Sequence, residues 1–62
     1  MTPDQERWAE ALAIERQHGR LAPVWIAERI GALASAGDVD GVARFREVAM
    51  KYEQLRAGRG KA

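Results

Sequence analysis

Three sets of helix boundary signals divide this chain, and they constrain its fold more than any other feature. Thr2-Pro3 stands near the start, His18-Gly19 and Ala22-Pro23 frame a short break, and Gly37-Asp38 marks a second one. A threonine before a proline reads as a helix start: its hydroxyl can accept a free backbone N–H, and proline is tolerated in the first turn. Glycine ends a helix by taking the left-handed conformation that other residues avoid, and aspartate caps the next one. Between these signals the apolar residues recur with a helical rather than a strand period. The pattern predicts an all-α fold, a compact domain of three helices over 3–18, 23–36 and 39–57. A tight hairpin joins the second helix to the third, and residues 58–62 form a disordered basic tail.

Each helix carries its own apolar stripe. In the first, Gln5 completes a capping box with Thr2, Asp4 and Glu6 face the positive end of the helix dipole, and Trp8, Ala11, Leu12 and Ile14 form the apolar side. The second shows Ile26, Ile30, Leu33 and Ala34, with Leu21 placed to staple back onto Ile26. Ala27, Gly31 and Ser35 run beside that stripe at four-residue intervals, a row that would let another helix approach closely. The third shows Val42, Phe45, Val48, Ala49, Tyr52 and Leu55, with Asp38 and Asp40 at its start. The expected core is Trp8, Leu12, Ile14, Ile26, Ile30, Leu33, Val42, Phe45, Val48, Tyr52 and Leu55.

A chain of 62 residues makes one domain at most. Chains this short bury only about 60% of the surface they expose when unfolded, and they usually need a disulfide, a metal, a partner or good helix packing. With no cysteine and one histidine, packing and partners are the supports left. The net charge of +1 hides a gradient: residues 1–19 sum to −2 and residues 38–62 to +2. That field is small beside those of typical nucleic-acid binders. No apolar run approaches the roughly 20 residues of a membrane span, and the first residues are not those of a secretion signal. A protein that stays in the cytoplasm is the expectation, and the absence of cysteine agrees with a reducing compartment.

No catalytic, metal-binding or phosphate-cradling constellation appears, so neither an enzyme nor a cofactor is expected. His18 has Glu15 one turn away but no second metal ligand and no nearby nucleophile; a C-terminal capping role accounts for it. Trp25 falls off the stripe of the second helix, close to Arg29, either as core or as an exposed anchor for a protein partner. Met50, with Val39 and Ala43, lies off the stripe of the third helix, and together with Trp25 could form a second apolar patch. The expected partner-binding residues are therefore Trp25, Arg29 and Met50. Arg44, Arg46, Lys51 and Arg56 alternate with Glu47 and Glu53 and read as a solvated face. The alternative is weak nucleic-acid binding through the third helix and Arg56, Arg59 and Lys61. A helix-turn-helix is disfavoured. The helical pattern runs through Gly31, and Asp38 and Asp40 would point negative charge at phosphates.

Two resemblances attach to these residues. The run Ala34-Ser35-Ala36-Gly37-Asp38-Val39-Asp40, followed by Ala49, resembles the turn and second helix of a tetratricopeptide motif, but covers only about half of the chain and has no neighbouring repeats to bury its faces. It is read as convergence on a tight hairpin. Arg7-Trp8-Ala9-Glu10-Ala11-Leu12, His18-Gly19, Trp25-Ile26-Ala27-Glu28-Arg29-Ile30, Gly37-Asp38 and Gly41-Val42-Ala43-Arg44 together resemble a family of short alphaproteobacterial helical proteins, a domain of unknown function. That resemblance implies a bacterial, cytoplasmic origin and supplies no activity. The functional expectation is a non-enzymatic interaction module, either a homodimer or a small adaptor on a larger protein.

Overall fold

A computed structural model describes residues 1–60. Three α-helices account for most of them: α1 over Pro3–His18, α2 over Ala22–Ser35 and α3 over Val39–Gly60. No strand occurs among the described residues.

The boundaries are built from local hydrogen bonds. At the start of α1 the Gln5 N–H donates to Thr2 Oγ1 at 3.1 Å, and the Thr2 N–H donates to Gln5 Oε1 at 3.0 Å. This reciprocal pair satisfies two donors that the first turn leaves free. The break after α1 is no open loop: Gly19–Leu21 forms one turn of 3₁₀ helix that leads into α2. Leu21 therefore stays mostly exposed instead of folding back onto Ile26. Between α2 and α3, Gly37 takes φ 74°. The Asp38 N–H then reaches Leu33 O at 2.9 Å and the Gly37 N–H reaches Ala34 O at 3.0 Å. These two bonds make a Schellman turn, which tolerates almost no connecting chain. Asp38 then caps α3, its Oδ1 accepting the Gly41 N–H at 2.8 Å.

α2 and α3 form the expected hairpin, and α1 lies across α3. On one flank of α1, Arg7 and Glu10 meet Glu47 and Arg44; on the other, Asp4 and Glu15 meet Lys51 and Arg59, further along α3. Opposite flanks of one helix reaching opposite halves of another is the pattern of a crossing, not of parallel alignment.

The fully packed core is Ala11, Ile14, Ala22, Ile26, Val48 and Tyr52, with Trp25, Ile30, Phe45 and Ala49 half-buried against it. Trp8, Leu12, Leu33, Val42 and Leu55 were expected inside and are only partly covered. Small residues take the deepest places because a crossing brings backbones closest where side chains are short. Trp8 instead lies on the rim with the Lys51 ammonium 5.1 Å from its ring centre. The close approach expected along Ala27, Gly31 and Ser35 does not occur: all three are exposed, and a methyl added at Gly31 would meet nothing within 4 Å.

At its other end α3 runs past the expected stop at 57, so Gly58 and Arg59 are helical rather than part of a disordered tail. Arg59 pairs with Glu15 of α1, which holds this last stretch against the body of the domain. Lys61 and Ala62, the rest of the expected tail, lie outside the described residues.

Candidate functional site

Trp25, Arg29 and Met50 do not form one patch. Trp25 is half-buried between His18, stacked on it at 4.6 Å, and Phe45 at 6.0 Å. Arg29 lies with its guanidinium carbon 5.9 Å from the centre of the Phe45 ring, so its cation meets phenylalanine and not the tryptophan one turn away. Both residues belong to the seam between α2 and α3. Met50 stands five residues beyond Phe45, which turns it roughly 140° around the α3 axis, away from that seam. It is 62% exposed.

The surface that Met50 does share is the outer face of α3. Val39, Ala43, Met50, Gln54 and Ala57 are all exposed there, on the side covered by neither α1 nor α2. Val39 is 77% exposed, the most exposed large apolar side chain after Met1. Two shallow grooves border this face. One, of about 270 Å³, puts Met50 beside Pro3 and Asp4 of α1. The other, of about 310 Å³, lies at the hairpin turn and is lined by Ala34, Val39, Val42, Ala43 and Arg46. The first also takes in Arg7, Glu47 and Lys51 and is lined mostly by charged residues; the second is lined mostly by apolar ones, with Asp38 and Arg46 beside them.

The charges around the face are largely committed. Glu10 Oε1 accepts from Arg7 at 2.7 Å and from Arg44 at 2.9 Å, and Arg7 Nε also donates to Glu47 at 3.1 Å. The Glu47 hydrogen bond raises the Arg7 pKa above its ordinary value; desolvation opposes this, and Glu10 adds to it. Arg59 pairs with Glu15, and Arg56 stands 3.8 Å from Glu53. Two of the three cations singled out for a nucleic-acid surface thus each face a carboxylate, and the third, Lys61, lies outside the described residues. Arg46 has no carboxylate within ion-pairing distance among the described residues.

His18 contributes a ring stack, and its side chain makes no cap hydrogen bond to the 3₁₀ turn that follows it. Among the described residues there is no cluster of three or more metal-ligating side chains. No described helix is long and apolar enough to cross a membrane.

A family model described as a family of unknown function, DUF6961, matches residues 3–59, and the chain belongs to that family. Comparisons with curated proteins and with solved structures gave no match.

Proposed function

We propose that this member of the DUF6961 family is a small non-enzymatic interaction module, cytoplasmic and of bacterial origin, that docks another protein surface on the outer face of α3. The observation that supports it is the pair Val39 and Met50, two large apolar side chains left in solvent on one face of the longest helix, each beside a shallow groove. A chain with so small a core gains from covering such a face, because each buried apolar side chain contributes roughly 1.5–3 kcal/mol. Trp25 and Arg29 support the seam between α2 and α3 and act on docking only through it. Nucleic-acid binding is the weaker alternative, since pairing of Arg56 and Arg59 with carboxylates lowers the field they offer to phosphates.

The test compares tagged wild-type protein with the Val39→Glu and Met50→Glu variants as baits in host lysate, with and without nuclease. Loss of one specific protein from both variants, with helicity unchanged, is the expected result. Equal capture by all three baits removes α3 from the docking surface. Nucleic acid recovered alone and lost as salt rises favours the alternative.

A further inference from the structure

Ala43, Met50 and Ala57 recur at seven-residue intervals along the exposed face of α3. Seven residues are close to two helical turns, so the three side chains form a nearly straight line about 21 Å long. Such a line is the seam along which two helices lie together. Helix α3 uses its opposite side for the core, through Phe45, Val48 and Tyr52. The seam is thus free for a second molecule.

The flanking charges specify which one. Arg46 and Glu53 stand on the same flank of the seam, before and after Met50. They are about 10 Å apart along their own helix and cannot pair with each other. Among the described residues Glu53 has only Arg56, at 3.8 Å with both side chains mostly in solvent, and Arg46 has no carboxylate. An antiparallel copy of α3 turned about a two-fold axis beside Met50 sets Arg46 against Glu53 of the second copy, and the same pair forms again across the axis. It also sets Met50 against Met50 and Ala43 against Ala57, so that the large side chain fills the centre and small ones close the ends. A parallel copy would carry the second Arg46 and Glu53 to the other side of the seam, where this pair does not form.

We infer that the outer face of α3 pairs with itself, forming an antiparallel homodimer through Ala43, Met50 and Ala57, with Arg46 and Glu53 setting its register. The inference rests on the proposed docking role of this face and names a second copy as its occupant. A two-fold interface must be self-complementary, and the charges of this face are. The contact is short: two helix faces of this length hide less than the ~1,200 Å² of a standard interface, so the dimer forms weakly and exchanges readily.

Sedimentation from micromolar to millimolar concentration reads the association directly. Wild type is expected to shift from monomer to dimer across that range. Arg46→Glu and Glu53→Arg should each weaken the dimer by about tenfold or more, since each turns two attractions into two repulsions. The double variant should recover it, and mixing the two single variants should yield a heterodimer. A lone cysteine placed by Met50→Cys, in a chain that has no other, should cross-link on oxidation; Ala32→Cys, on exposed α2, should not. A wild type that stays monomeric throughout overturns the self-pairing, as do charge variants that associate like wild type. Neither result touches the docking role itself: capture of another protein that still depends on Val39 and Met50 would leave that standing with a different occupant.

Discussion

His18 stacks on Trp25, with ring centroids 4.6 Å apart and planes 18° from parallel. The last residue of α1 is thereby clamped to the first turn of α2, and through the tilted Trp25–Phe45 contact to α3. Three helices meet at one indole. Trp25→Ala should cost roughly 2–4 kcal/mol, a large share of the stability of a domain this small. His18→Ala should cost about 1 kcal/mol, the worth of one aromatic pair. Urea unfolding followed by circular dichroism measures both; an unchanged midpoint for Trp25→Ala would assign the ring to the surface.

Gly31→Ala should stabilise the protein. The glycine is exposed in the interior of α2, its φ is not positive, and an added methyl meets open space. Alanine is about 1 kcal/mol better than glycine at such a position. A rise in the thermal midpoint by several degrees is expected. A fall would reveal a helix or partner packed against this row.

Gly41→Ala should behave differently. A Cβ there would stand 2.6 Å from Asp38 Oδ2 and 2.8 Å from its Cγ, so the capping carboxylate must swing away. Loss of the cap costs about 1 kcal/mol and cancels the helix preference of alanine. In an Asp38→Ala background the same substitution should become favourable. A double-mutant cycle with no coupling between the two positions would contradict this.

Glu10 joins α1 to α3 by accepting from Arg7 and Arg44 on one oxygen. Glu10→Gln should destabilise by about 1 kcal/mol at low ionic strength and by less in high salt, because the pairs are near solvent. Arg7 adds no pH dependence in the ordinary range. Its pKa is raised, so its stabilising contribution is complete below its unfolded-state value and fades only as pH rises through the still higher folded-state one. Urea midpoints across salt concentration and between neutral and mildly alkaline pH test both statements.

Helix boundaries were legible because capping is local. Thr2 with Gln5, and Gly37 with Asp38, interact within a few residues, and the structure uses each as the residue types suggest. The end of α3 was not legible. Gly58 and Gly60 argue for fraying, yet the helix continues where Arg59 finds Glu15, a residue 44 positions away. The candidate surface was legible in half. Met50 lies off the core stripe in sequence and is exposed in space. Trp25 is equally off the stripe of α2, but His18 from the end of α1 covers it.

The sequence by itself therefore determined that this protein is helical, where its helices start, and which side of α3 carries no core residue, since caps and periodicity act within one helix. Only the tertiary structure decided that Ala11 and Ala22 take the deepest places while Trp8 and Leu12 stay on the rim. It decided too that Trp25 and Met50 face apart. Burial depends on the angle at which α1 crosses α3, and that angle is set by contacts between residues tens of positions apart, which no local pattern records.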